Sequence, residues 1–202
     1  GKPEISFSHN QGWATATMLP KLTNATQYAT MANEIEIYKL PSAEWSAASA
    51  AFKATGIYTT AGGNKLTAPF LPADFTKYAD GTDPWGHPNT DWFSAVLKPW
   101  SPQTKENLQI SGGTENVKYL ASLGYENQDG YYKNSATGYK QYDMRFNLDA
   151  KVNKYISTSL GIDARQENRF FPTKGAGSIF RMMMRGYPTK NAIWPNGQAA
   201  PD

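Results

Sequence analysis

Between residues 103 and 165 apolar and polar side chains alternate almost without a break, and this period of two constrains the fold more than any other feature of the chain. Side chains alternate across a β-strand, so each strand divides into two faces. In residues 116–126 one face is Val117, Tyr119, Ala121, Leu123 and Tyr125; the other is Asn116, Lys118, Leu120, Ser122 and Gly124. In residues 141–150 Tyr142, Met144, Phe146, Leu148 and Ala150 oppose Gln141, Asp143, Arg145, Asn147 and Asp149. In residues 156–165 Ile156, Thr158, Leu160, Ile162 and Ala164 oppose Ser157, Ser159, Gly161, Asp163 and Arg165. A weaker strand, 105–111, sets Leu108 and Ile110 against Lys105, Asn107, Gln109 and Ser111.

A tilted strand needs ~9–11 residues to cross a bilayer, and three of these segments have that length. Their apolar faces carry Tyr125 and Tyr142 toward one end and Tyr119 toward the other, with Tyr155 just outside its strand. Aromatic girdles at two membrane interfaces have this form. The turns at Gly112-Gly113-Thr114 and Val152-Asn153-Lys154 are short, whereas 127–140 is longer and rich in Gly, Asn and Tyr. Short turns on one side and long loops on the other fit an outer-membrane barrel. A soluble antiparallel sandwich also alternates, so periodicity alone leaves both architectures open.

Composition narrows the function classes. The net charge of +3 comes without a run of Lys or Arg, so no nucleic-acid partner is expected. Cysteine is absent, which removes disulfides, thiolate metal sites and cysteine nucleophiles. No apolar run reaches the ~18 residues of a transmembrane helix. Only His9 and His87 are present, and no HExxH, P-loop or GxSxG motif occurs, so neither an enzyme nor a cofactor is expected. Asp80, Asp83, Asn89 and Asp91 cluster in sequence, and hard cations want clustered oxygens. Their spacing does not match an EF-hand, so turn and cap roles are expected, and no metal.

A strand is expected at 4–13, around Ile5 and Phe7. Residues 18–102 then read as a long, partly helical excursion. Asn24 with Gln27 predicts a capping box, followed by Tyr28, Met31, Ile35 and Tyr38 at helical spacing. Ser42 is expected to cap a second helix through Trp45, Ala48 and Phe52, ended by Gly56. Gly62-Gly63-Asn64 predicts a turn, 72–79 a short helix stopped near Gly81, and Thr90 the cap of a helix over 91–98. Beyond Arg165 the alternation stops, and Met182-Met183-Met184 is expected to pack in a loop or meet a partner. Trp85, Trp92, Trp100, Tyr131 and Tyr132 fall in loops and are candidate ligand or partner aromatics, with packing inside the loops the plainer role.

Five stretches resemble one family. They are Asp80-Gly81-Thr82-Asp83-Pro84 with Pro88-Asn89-Thr90-Asp91-Trp92; Asn107-Leu108-Gln109-Ile110-Ser111-Gly112-Gly113-Thr114-Glu115; Tyr119-Leu120-Ala121-Ser122-Leu123-Gly124-Tyr125; Asn127-Gln128-Asp129-Gly130 with Lys133-Asn134-Ser135; and Arg145-Phe146-Asn147-Leu148-Asp149. In order and spacing they resemble SusC-like TonB-dependent transporters of the Bacteroidetes outer membrane, the SusC/RagA family. The resemblance implies an all-β fold: an antiparallel transmembrane barrel of about 22 strands, occluded by a plug, of which this chain would be an internal piece. It implies import of oligosaccharides or peptides, TonB as energy donor, a SusD-like surface lipoprotein as partner, and lipid around the wall.

The expected organisation is a plug-to-barrel junction and first strand at 1–13, a long partly helical extracellular loop at 14–102, a strand meander at 103–167 and an extracellular loop region at 168–202. The shared polar face makes Lys118, Asp143, Arg145, Asn147, Asp149, Asp163 and Arg165 candidate lumen-facing residues. A passive porin and a soluble β-rich glycan-binding module remain as alternatives.

Overall fold

A computed structural model describes residues 2–200. Gly1, Pro201 and Asp202, which belong to the expected junction and the last loop region, lie outside the described residues. The chain divides into two compact units, Gly1–Met18 with Leu97–Ala176, and Leu19–Val96 with Gly177–Asp202.

In chain order the elements are β1 (Glu4–Ala14), α1 (Ala25–Tyr38), a single 3-10 turn (Ser42–Glu44), α2 (Trp45–Ala54), β2 (Ile57–Thr59), β3 (Lys65–Thr67), α3 (Pro72–Asp80), α4 (Trp92–Val96), β4 (Ser101–Gly113), β5 (Val117–Asp129), β6 (Gly138–Lys151), β7 (Ser157–Phe170) and α5 (Ala176–Arg185). The first unit is a five-stranded antiparallel sheet in the order β1-β4-β5-β6-β7.

The register sorts the side chains as the alternation requires. Phe7, Leu108, Leu123, Met144 and Ala164 form one cross-strand row, and Ile5, Ile110, Ala121, Phe146 and Ile162 the next. Gly112, Tyr119, Leu148 and Leu160 continue the same face. At ~3.3 Å per residue and a tilt of roughly 40°, the run from Val117 to Tyr125 rises about 20 Å, close to the ~25 Å apolar band of outer-membrane barrels. This face is open: Ile5, Phe7, Leu123, Met144, Leu160 and Ile162 are all exposed.

Every strand of this sheet is longer than its alternation predicts. The weak strand expected at 105–111 is β4, and β7 continues to Phe170, past Arg165 where the alternation stops. The cause lies beyond the Tyr125–Tyr142 row. There Gln11, Thr104, Asn127, Lys140 and Asn168 put polar groups on the otherwise apolar face, while the backbone ladder continues. Ile156, expected to open the last strand, instead closes the β6–β7 turn, and its carbonyl accepts from the Val152 N–H.

The β4–β5 turn accounts physically for the Ser111-Gly112-Gly113-Thr114 string. Gly113 has φ +147°, and a Cβ there would run into the Val117 carbonyl. The Thr114 N–H donates to the Val117 carbonyl at 2.6 Å, and the Thr114 hydroxyl accepts from the Asn116 and Val117 amides.

The second unit is helical with a small hairpin. Asn24 and Gln27 form the predicted capping box at α1. Its buried stripe, however, is Ala25, Ala29, Asn33 and Ile37, and Met31, Ile35 and Tyr38 are exposed. Small residues allow close helix approach, and the larger apolar ones mislead the eye about the core face. Asn33 is buried with both amide groups spent on one residue: Nδ2 donates to the Phe70 carbonyl at 2.8 Å and Oδ1 accepts from the Phe70 N–H at 3.0 Å. Ile37, Ala48, Phe52 and Ala68 form the core, flanked by Leu40, Tyr58 and Leu66.

Ser42 does not cap α2 with its side chain; it begins the 3-10 turn that leads into that helix. The hairpin of β2 and β3, turning at the expected glycines, was not anticipated as strands. The helix expected at 91–98 is only α4, and its cap is Asp91, whose Oδ1 accepts from the Phe93 and Ser94 amides, rather than Thr90. Thr90 instead donates its hydroxyl to the Lys190 carbonyl at 2.6 Å. The Met182–Met184 run lies on α5, with Met183 buried and its neighbours exposed.

Candidate functional site

The candidate polar residues all occupy one face of the five-stranded sheet. Antiparallel pairing places Lys118 opposite Asp149, Asp143 opposite Arg165, Arg145 opposite Asp163, and Asn147 opposite Gly161. The Arg145 Nε donates to Asp163 Oδ1 at 2.6 Å, and the Arg165 Nε to Asp143 Oδ1 at 3.0 Å. Asp143 Oδ1 also accepts from Gln141 at 2.7 Å, and Asp149 accepts from the Ser159 hydroxyl at 2.7 Å. Gly124 sits directly opposite Asp143, and a Cβ there would lie 2.7 Å from its Oδ2. The glycine therefore leaves room for the carboxylate to reach Arg165. A groove of about 590 Å³ runs over this face, lined among others by Lys105, Asn107, Ser122, Asp143, Arg145, Asp163 and Arg165. Such an array offers hydrogen-bond donors and acceptors to a polar solute.

The aromatic candidates have different surroundings. Trp85 is exposed and stacks on Trp194, with ring centroids 5.4 Å apart and planes at 24°. Trp92 donates its indole N–H to the Tyr187 carbonyl at 2.9 Å, and Gly186 leaves space for its ring. Trp100 and Tyr131 are exposed. The Tyr131 carbonyl accepts from the Lys98 N–H at 2.7 Å, and Tyr132 bridges to Leu97. Lys98 also pairs with Asp129 at 2.6 Å, so these contacts tie the start of β4 to the β5–β6 loop.

One polar cluster was not anticipated. His87 donates from Nε2 to Asp74 Oδ1 at 2.9 Å and from Nδ1 to Asp83 Oδ2 at 2.7 Å, with its ring edge-on to Tyr78. Two carboxylate partners require both ring nitrogens to carry protons. The Asp74 hydrogen bond, reinforced by Asp83, raises the His87 pKa above its ordinary value against the opposing effects of burial and Lys77. The Asp83 pKa is held low, first by the Gly86 N–H and then by His87. The four-residue interval from Asp83 to His87 is visible in the sequence; the approach of Asp74 is not.

The acidic cluster at 80–91 is spent on local structure. Asp80 accepts from the Thr82 amide and hydroxyl, Asp83 holds Gly86 and His87, Asn89 accepts from the Ala25 N–H, and Asp91 caps α4. Among the described residues no group of three acidic, His or Cys side chains is arranged to hold a metal ion. Nor is any helix among them long and apolar enough to cross a membrane.

No family model matches the chain. Among curated proteins it is 29% identical over 162 residues to the TonB-dependent receptor P26 of Formosa agariphila, covering 80% of this chain and 12% of that protein. It is 29% identical over 114 residues to the TonB-dependent receptor SusC of Bacteroides thetaiotaomicron, covering 49% of this chain and 10% of SusC. The chain thus spans about a tenth of the length of these relatives. Two solved structures share its fold: that of the RagAB peptide transporter, with TM-score 0.55 and 17% identity over 98% of this chain, and that of the RagAB peptide importer in the open-open state, with TM-score 0.61 and 16% identity over 99%. Each match covers 22% of the solved chain. With TonB-dependent receptors as its sequence relatives and the RagAB chains as its structural neighbours, the chain is similar to a stretch of a SusC-like TonB-dependent transporter.

Proposed function

We propose that this chain supplies part of the wall and an outer loop region of a TonB-dependent importer in the bacterial outer membrane, which takes up oligosaccharides or peptides together with a SusD-like lipoprotein. The observation that carries this reading is the separation of faces across five hydrogen-bonded strands, with rows such as Phe7–Leu108–Leu123–Met144–Ala164 on one side and the paired carboxylates and guanidiniums on the other. Lipid favours the first face and a wet lumen the second. Lys118, Asp143, Arg145, Asn147, Asp149, Asp163 and Arg165 then line the lumen. The short turns at 114–116 and 152–156 face the periplasm, and 14–102, 130–137 and 171–200 lie outside. The names of the two structural neighbours, a peptide transporter and a peptide importer, support the import reading, and loop aromatics such as Trp85 suit either peptide side chains or sugar rings.

The test is uptake by the full-length protein in cells. Accumulation of labelled oligosaccharides or peptides that stops when TonB is deleted fits the proposal. Accumulation unaffected by loss of TonB indicates a passive porin and contradicts it.

A further inference from the structure

We propose that the β6–β7 turn, residues 152–156, is an interfacial anchor that binds anionic phospholipid. Turn residues are ordinarily polar, yet Val152, Tyr155 and Ile156 are 65%, 82% and 53% exposed. They flank an exposed lysine, Lys154.

The backbone of the turn closes on itself. The Val152 and Asn153 amides donate to the Ile156 carbonyl at 2.9 and 3.2 Å, and the Lys151 amide to the Asn116 carbonyl at 2.7 Å. The Asn153 side-chain oxygen accepts from the Tyr155 and Ile156 amides at 2.8 and 3.0 Å. These amides lose nothing when water thins out, so the turn can enter a region where unpaired backbone is costly. The Lys154 ammonium lies 4.8 Å from the Tyr155 ring centroid, which holds a cation and an amphipathic ring at one depth. A tyrosine beside a lysine suits the headgroup level of a bilayer, with the ring among the glycerol groups and the ammonium on a phosphate.

The other tight turn of the same sheet provides an internal contrast. Thr114, Glu115 and Asn116 offer no lysine and no large apolar group, and the Thr114 hydroxyl satisfies the local amides. Anionic lipid is therefore drawn to one turn rather than to that whole end of the sheet.

This inference rests on reading the sheet as a membrane wall, and the experiment separates the two. The full-length protein is reconstituted in nanodiscs of equal phosphatidylglycerol and phosphatidylcholine, and lipid retained after mild detergent extraction is measured by mass spectrometry. Heat-modifiable gel mobility reports separately whether the barrel has formed. The expected result is a folded barrel that retains phosphatidylglycerol preferentially, with the preference falling about fivefold in Lys154→Gln. A folded barrel without that preference, or with a preference that Lys154→Gln leaves unchanged, overturns the anchor. A protein with no heat-modifiable, membrane-inserted form overturns the wall reading itself. Lys154→Ala, at the same exposed side chain, serves if Lys154→Gln does not fold.

Discussion

Arg145 and Asp163 face each other across β6 and β7 with Nε 2.6 Å from Oδ1, and one step along the same face the order of charges is reversed, Asp143 bonding Arg165 at 3.0 Å. Alternating signs on both strands make the pairing self-checking. A slip of two residues keeps the faces intact but sets like charges together, so the charges exclude the register error that hydrophobicity alone tolerates. Arg145→Asp should therefore weaken the β6–β7 pairing, and adding Asp163→Arg should restore it. Thermal unfolding of the four members of this cycle in the full-length protein measures the coupling. Additive effects, with no rescue by the swap, would contradict it.

Gly113 is expected to tolerate no side chain. Its φ of +147° and the closeness of the Val117 carbonyl predict that Gly113→Ala costs about 1–3 kcal/mol by opening the β4–β5 turn. Unfolding of the folded protein should show this, whereas Glu115→Ala in the same turn should change stability by less than about 0.5 kcal/mol.

Asn33 acts as a buried clamp on Phe70. Asn33→Ala leaves the Phe70 N–H and C=O without their partner, a loss on the order of 2–3 kcal/mol to the helical unit. Amide exchange at Phe70 is the direct readout, and it should accelerate.

The His87 clasp gives the helical unit a pH dependence whose sign follows from the pKa direction. His87 is raised in the folded state, so its contribution is complete below the ordinary histidine pKa of ~6.5 and fades as pH rises through the higher folded value. Asp83 is lowered, so its contribution is present above the ordinary carboxylate range and fades only in strong acid. Protection of the segment from Asp80 to Asp91 against hydrogen exchange, taken relative to the intrinsic exchange rate at each pH, should be greatest in mildly acidic buffer and fall toward alkaline pH. In Asp74→Asn the fall should begin at lower pH, and in His87→Gln the loss of protection toward alkaline pH should vanish.

The strands and their faces were legible because alternation with period two is read directly from apolar residues. Their outer ends were not, because past Tyr125 and Tyr142 both faces carry groups such as Asn127, Lys140 and Asn168, and the backbone ladder leaves no trace in hydropathy. The capping box at Asn24 was legible as a local hydrogen-bonding pattern. The core face of α1 was not, because Ala25 and Ala29 bury better than the larger Met31 and Ile35. Of the sites, the shared polar face emerged from residue spacing. Contacts that join distant segments, Asp74 with His87 and Trp85 with Trp194, required the fold.

The central claim is that the face bearing Arg145 borders water and the face bearing Phe146 borders lipid. Single cysteines placed at positions 145 and 146 of the full-length protein, in a background from which any other cysteine has been removed, test it most directly once the protein is inserted in bilayers. The account predicts that a charged, membrane-impermeant maleimide labels position 145, while a bimane label at position 146 is quenched by brominated acyl chains. Labelling of position 146 by the charged reagent, with quenching at position 145, would contradict it.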